Sequence, residues 1–91
     1  MNYHQALRNL LNNDCKKIWR KGWNGKDMFI FAMPGHPDGV PANKTTAIAM
    51  GISEGDIIFV HPYLAIKTAQ NTIGPWTATQ PDTFVRDWMC G

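Results

Sequence analysis

The chain has 91 residues, a formal charge of +2, and a hydrophobic fraction of 44%. A chain of this length buries roughly 64% of its unfolded surface, which is enough for one modest core, so we expect a single domain over residues 1–91. No segment is polar and charged enough to be disordered, or apolar enough over a sufficient length to cross a bilayer.

The net charge and the start of the chain bear on partners and location. Nucleic-acid-binding domains carry a strongly basic stripe, whereas the sequence pI here is about 8.7. We therefore expect no nucleic-acid polymer and no membrane as partner. The N-terminus has no signal-peptide pattern, which predicts a cytoplasmic protein. Small domains without staples are often stabilised by association, so we expect a homo-oligomer.

The first predicted element is an amphipathic helix from Asn2 to Asn13. Asn2 can cap its start, with Gln5 three residues later completing a capping box. We expect the apolar face of this helix to cover one side of a sheet. The apolar residues recur at the i, i+3, i+4, i+7, i+8 spacing of one helical face: Tyr3, Ala6, Leu7, Leu10 and Leu11.

From Lys17 onward, short apolar runs separated by Gly, Pro and Asn predict an antiparallel meander. Gln70-Asn71 is typical of a hairpin turn, because Asn tolerates a positive φ. The predicted strands are Lys17–Arg20, Met28–Met33, Asp56–Val60, Ala65–Thr68, Ile73–Thr77 and Asp87–Met89.

The middle and the end of the chain carry less regular signals. The segment Pro34–Gly39, P-G-H-P-D-G, is expected to have no regular structure and to begin a connection reaching Gly55. Thr46–Ile52 is expected to form a short helix or turn within it, and Pro81 to open a helical turn through Arg86. The predicted class is α+β, with an N-terminal amphipathic helix packed on a small antiparallel sheet and a short C-terminal helical turn.

The sequence offers no recognisable catalytic or metal site. His4, His36 and His61 lack metal-ligand spacing, and no G-x-S-x-G or P-loop pattern is present. Cys15 and Cys90 form no C-x-x-C motif, and whether they pair is left open. We expect no catalytic residues, no metal and no cofactor.

Two stretches favour a binding site instead. In R-K-G-W-N-G-K-D-M-F-I-F, Trp23 offers a flat surface to a base and the neighbouring lysines offer charge to phosphates. The alternative is that Trp23 anchors the core. Phe29 and Phe31 share one face of the following strand, which is either core or the wall of a pocket or interface. In P-W-T-A-T-Q-P-D, Asp82 completes a hydroxyl, amide and carboxylate cluster able to bond a base edge or ribose.

The order of these blocks carries a resemblance. An N-terminal amphipathic helix, W-N-G-K, P-W-T-A-T-Q-P-D and a closing D-W together resemble the second Thoeris anti-defence family over nearly the whole chain, apart from residues 34–55. The resemblance implies a homotetrameric sponge in the infected bacterial cell. Such a protein binds, without cleaving, the cyclic ADP-ribose isomer made by a bacterial immune sensor, so that the effector stays inactive.

The same resemblance implies the site residues. Trp23 would pack against the base, Phe29 would add apolar wall, and the second block would contribute polar contacts from the same or a neighbouring subunit. Lys26 adds the charge already expected from the residues themselves. Asp27 and the T-F-V-R stretch at 83–86 depart from the family pattern. The implied ligand-binding residues are Trp23, Asn24, Gly25, Lys26, Phe29, Trp76, Thr77, Gln80 and Asp82.

Three other readings stay open at this point. The protein could sequester the cyclic oligonucleotides of CBASS defence, or inhibit a host defence enzyme by direct contact with aromatic anchors. It could also be an enzyme that destroys the nucleotide. Turnover in excess substrate separates the last reading from a sponge.

Overall fold

The computed structural model describes residues 1–91 and confirms the α+β class. All six predicted strands are present, with ends displaced by no more than two residues, and a seventh joins them. The helices are α1 (Tyr3–Leu11), α2 (Lys44–Met50) and α3 (Gln80–Phe84), and the strands are β1 (Ile18–Arg20), β2 (Phe29–Met33), β3 (His36–Pro41), β4 (Ile57–Val60), β5 (Tyr63–Lys67), β6 (Ile73–Pro75) and β7 (Trp88–Cys90).

Helix α1 begins with the predicted capping box. The Asn2 side chain accepts a hydrogen bond from the Gln5 backbone N–H, and the Gln5 side chain accepts one from the Asn2 N–H. Tyr3, Ala6 and Leu10 are buried, as the spacing predicts. Leu11 is an exception, because it is 58% exposed at the last turn, beyond the edge of the apolar face.

Five strands form one antiparallel sheet in the order β6-β5-β2-β1-β7. Ile30 in the central strand β2 lies opposite Ile18 on one side and Ile66 on the other. Strand β7 returns from the end of the chain to pair with β1. The turn before β6 is the predicted hairpin, with Asn71 at a φ of 61°.

The core lies between α1 and one face of this sheet. Trp88 is fully buried, and its indole Nε1–H donates to the backbone oxygen of Asp82 at 2.8 Å. That bond satisfies the one polar atom of the largest core side chain, and it holds α3 beside β7. The core cluster consists of Tyr3, Ala6, Leu10, Ile18, Ile30 and Trp88.

The prediction that Pro34–Gly39 has no regular structure is wrong. Most of that segment belongs to strand β3, which pairs with β4 in a separate two-stranded sheet. Proline is tolerated there because β3 has a neighbour on one side only, and an edge strand can lack N–H donors on its outer side. A register shift between His36 and Val40, with Gly39 at a φ of 103°, accommodates the turn-forming residues.

Strands β3 and β4 with α2 make up an arm, residues 34–61, beside the five-stranded sheet. The radius of gyration is 15.8 Å, against about 12 Å expected for a compact chain of this length. The principal extents of 46 × 28 × 23 Å show the same elongation. Helix α2 confirms the short helix expected near Thr46–Ile52.

Cys15 and Cys90 are joined in a disulfide, with their Cα atoms 6.0 Å apart. The bond links the loop after α1 to the last strand and answers the question that the sequence left open. It is also a covalent staple of the kind whose absence was the reason for expecting a homo-oligomer, so that expectation now rests on the family resemblance. None of the helices combines the length and the apolar character needed to cross a membrane.

Candidate functional site

Trp23 lies at the end of a single 3₁₀ turn, Lys21–Trp23, that follows β1. The Lys21 N–H donates to the backbone oxygen of Asp87 at 2.8 Å, which fixes the turn against the start of β7. The Trp23 ring meets the buried Trp88 ring edge-on at 5.5 Å. Trp23 is half-buried, so it is anchored on the core and still presents part of its surface to solvent.

The W-N-G-K turn is held by its own side chains. Asn24, at a φ of 53°, donates from Nδ2 to the Asp27 carboxylate at 3.0 Å and accepts from the Lys26 N–H at 3.3 Å. Gly25 is buried against the Trp19 indole, while the Lys26 side chain is exposed. The Asp27 carboxylate therefore accepts a hydrogen bond from Asn24 within the turn.

A guanidinium bridges two carboxylates beside Trp23. Arg20 Nε and Nη2 donate to Asp87 at 3.1 and 3.3 Å, and Nη1 donates to Asp82 at 3.3 Å. A cavity of about 260 Å³ opens here, lined by Arg20, Gly22, Trp23 and Asp87. Its walls combine one aromatic ring with charges of both signs.

Asp82 is the buried member of this network. Thr79 caps α3 by accepting from the Asp82 N–H, and its own N–H and hydroxyl donate to Asp82 Oδ2 at 2.9 and 2.8 Å. Burial raises the pKa of Asp82, but the hydrogen bonds from Thr79 and Arg20 and the charge of Arg20 outweigh it and hold that pKa below its ordinary value. Asp82 therefore stays ionised and occupied by partners within the chain.

The second predicted block also contacts Trp88. Trp76 meets Trp88 edge-on at 6.1 Å and Tyr3 at 5.9 Å. Thr77 and Gln80 are exposed next to it in the chain. Trp23 and Trp76 thus both contact one buried ring, although they lie far apart in sequence.

Phe29 is not on this side of the sheet. Its neighbour Ile30 faces α1 and is fully buried, so Phe29 points to the opposite face by the alternation of a strand. There its ring lies 4.6 Å from Lys17 Nζ and 6.0 Å from the Phe31 ring. One copy of the chain does not bring Phe29 together with Trp23.

Arg20, Asp87 and Trp88 were not among the predicted site residues. Arg20 belongs to the basic stretch before Trp23, and Asp87-Trp88 is the closing D-W block, so both lie in stretches that the sequence analysis connects with the site. The sequence separation of 67 between Arg20 and Asp87 hides their contact. Only the pairing of β7 with β1 reveals it.

The largest cavity of the molecule lies elsewhere. It measures about 680 Å³ and runs along β4 on the arm, with Asp56 and His61 as its only titratable lining residues. The aromatic and ionic groups predicted to bind a ligand are absent from it.

Residues 1–90 match the family model of the Thoeris anti-defense 2-like domain. The chain belongs to this family. It is 34% identical over 91 residues to Thoeris anti-defense 2 of Bacillus phage SP01, in a match that covers 97% of this chain and 91% of that protein. Membership of the Thoeris anti-defense 2-like family supports a role in counteracting Thoeris defence and is consistent with a non-catalytic protein.

Proposed function

We propose that this protein is a phage-type sponge that binds a cyclic ADP-ribose-type immune signal and withholds it, uncleaved, from the Thoeris effector. It acts in the cytoplasm of the infected bacterium as a homotetramer. Its proposed ligand-binding residues are Trp23, Asn24, Gly25, Lys26, Phe29, Trp76, Thr77, Gln80 and Asp82.

The observation that carries the proposal is the cavity beside Trp23. It combines a half-exposed indole, held edge-on against Trp88, with the guanidinium of Arg20. A base can stack on the indole, which contributes about 1–3 kcal/mol in single-stranded nucleic-acid sites. A guanidinium is well suited to bind a phosphate oxygen pair. Arg20 already donates to Asp82 and Asp87, however, so a ligand phosphate would have to displace the partly exposed Asp87 carboxylate. An anchored ring and a planar cation side by side suit a nucleotide diphosphate.

Sequestration requires a high affinity at such a site. The sponge must bind its ligand more tightly than the effector does, and a Kd of 1 nM corresponds to about −12.3 kcal/mol. Ligand pockets of drug-sized molecules usually enclose roughly 300–1,000 Å³, whereas this cavity encloses about 260 Å³. A second copy of the chain would have to complete the enclosure.

Phe29 supports completion by a second copy. It lies on the sheet face away from Trp23, half-buried among Lys17, Phe31 and Lys67. The apolar Phe29 ring has two lysine ammonium groups beside it. When another subunit contributes this ring, it can form the far wall of a pocket for an anionic ligand. In that arrangement Trp23 and Phe29 belong to one pocket but to different copies.

The test is calorimetric titration of the tetramer with the cyclic ADP-ribose isomer, comparing the wild type with Trp23→Ala. We expect the wild type to bind in the nanomolar range and the variant to lose between about fivefold and about 150-fold in affinity, because a stacking contribution of about 1–3 kcal/mol is gone. Tyr63→Ala is the matched control, since Tyr63 is an exposed aromatic residue on β5. It should bind as the wild type does.

Other outcomes of the titration would support the alternative hypotheses. Unchanged affinity in Trp23→Ala would show that the site is elsewhere. Binding of cyclic dinucleotides in preference to cyclic ADP-ribose would make the protein a sponge for CBASS signals. Binding of neither, with effector inhibition retained, would favour direct contact with a host defence enzyme.

A further inference from the structure

The arm presents an apolar strand edge that no other part of the chain covers. Strand β4, I-I-F-V, pairs with β3 on one side and has no neighbour on the other. The groove of about 680 Å³ along it is lined by the consecutive residues 56–61 together with Thr46, Met50 and Ile52. Met50, Ile57 and Phe59 are 58%, 59% and 71% exposed. Such an edge is a template for pairing with another chain.

The other sheet edges are protected and β4 is not. Strand β3 carries Pro37, Asp38 and Pro41 and contains a register shift. In the five-stranded sheet, the edge strands β6 and β7 have only three residues each, and β6 ends in Pro75. Short edges, prolines, charges and bulges are the devices that keep strand edges from associating. Strand β4 has four apolar residues and carries no proline, no charge and no bulge.

The backbone of β4 is oriented for pairing. The Ala42 N–H donates to the Asp56 backbone oxygen at 2.8 Å, so Asp56 and every second residue after it direct their backbone groups toward β3. The N–H and C=O groups of Ile57 and Phe59 therefore point to the free edge. Their side chains share one face, above Gly39, which has no side chain to cover them.

We propose that β4 pairs antiparallel with β4 of a second copy of this chain, about a two-fold axis near Ile58. This inference rests on the proposed homo-oligomer and names one of its interfaces. The pairing sets Ile57 opposite Phe59 of the second copy, twice, and joins the two arms into one four-stranded sheet. Each opposed pair exchanges two backbone hydrogen bonds, which gives four across the axis.

Charge distribution favours a second copy as the occupant. In this register Asp56 lies opposite Val60 of the second copy and Gly55 opposite His61, so no two like charges face each other. The acidic end of each strand, with Glu54 and Asp56, comes alongside the His61 end of the other. An isologous interface requires this self-compatibility.

The size of the patch is also adequate. Side chains of this kind present roughly 100–150 Å² each at the observed exposures. With their half-exposed neighbours Ile52, Ile58 and Val60, two copies would bury roughly 1,000 Å², the lower bound for a specific interface. An edge contact of this size suits one interface within a larger assembly.

The experiment measures the mass in solution of the full chain by light scattering on a sizing column, for the wild type and for Ile57→Lys. A lysine on the free edge should exclude the second strand. We expect the mass of the variant to fall at least twofold below that of the wild type. Ile73→Lys is the matched control, because Ile73 is 65% exposed on β6 and Ile57 is 59% exposed on β4. It should keep the wild-type mass.

A measurement on the unmodified chain tests the interface even if the Ile57→Lys variant misfolds. The amides of Ile57 and Phe59 should exchange with deuterium at least tenfold more slowly in the oligomer than in a dilute monomer. Unchanged mass in Ile57→Lys, an equal loss in Ile73→Lys, or fast exchange at both amides would each overturn the interface. A wild-type monomer would overturn the oligomer itself, whereas failure of the nucleotide titration leaves these masses unaffected.

Discussion

At the scale of single residues, the structure places the predicted tryptophans against the core and gives the predicted carboxylate ionic partners within the chain. Trp23 was expected either to stack on a ligand or to anchor the core. Its edge-on contact with Trp88 shows that it packs on the core, and stacking on a ligand stays a prediction. Asp82 was expected to offer a carboxylate to a ligand. The Asp82 carboxylate already accepts hydrogen bonds from Arg20 and Thr79, so we expect it to contribute to the stability of the fold.

The depressed pKa of Asp82 predicts acid sensitivity. A carboxyl group with a lower pKa in the folded state than in the unfolded state stabilises the fold above the unfolded value of about 3.9, and this contribution disappears as the pH falls through the folded pKa. Asp82→Asn should lower the free energy of unfolding by about 2 kcal/mol at pH 7, the range for hydrogen bonds to a charged group. The difference from the wild type should shrink below about pH 4.

Denaturant unfolding at a series of pH values checks this. Asp87→Asn is the control, because the Asp87 carboxylate is 39% exposed and its pair with Arg20 is expected to contribute less than about 1 kcal/mol. Equal losses in the two variants, or a constant Asp82→Asn loss down to pH 2, would contradict the assignment.

At the scale of elements, hydrophobic periodicity located most of the secondary structure. Helix α1 and its capping box were predictable because both follow from local spacing. Strand β3 was not, because its prolines and glycines give the local signal of a turn, and only the presence of β4 beside it makes a strand of that segment. The position of Phe29 on the face away from Trp23 was also out of reach, since which face of β2 meets α1 is a tertiary fact.

The turn that carries Trp23 depends on the absence of a side chain at Gly25. A Cβ atom there would overlap the Trp19 indole, whereas one at Gly22 would meet nothing within 4 Å. We expect Gly25→Ala to reduce the free energy of unfolding by about 1–3 kcal/mol, as overpacking does, and Gly22→Ala to change it by less than about 0.5 kcal/mol. Thermal unfolding of both variants measures the contrast, and similar midpoints would refute it.

At the scale of the whole molecule, the elongated shape was not predictable. Composition indicated one modest core and a single domain, and that expectation stays a prediction. The arm adds length without adding to the core cluster, all of whose members lie outside residues 34–61. The disulfide between Cys15 and Cys90 joins the loop after α1 to β7, near both ends of the chain. Their distance in sequence, 75 residues, is why the sequence alone left the pairing open.

The central claim is that the protein withholds its ligand without altering it. The measurement that tests this most directly is to mix the purified protein with the cyclic ADP-ribose isomer, remove the free nucleotide, boil the complex and identify what is released by mass spectrometry. We predict recovery of the intact nucleotide in a fixed ratio to protein, with no turnover when the nucleotide is in excess. Release of a cleaved product, or no capture at all, would contradict the claim.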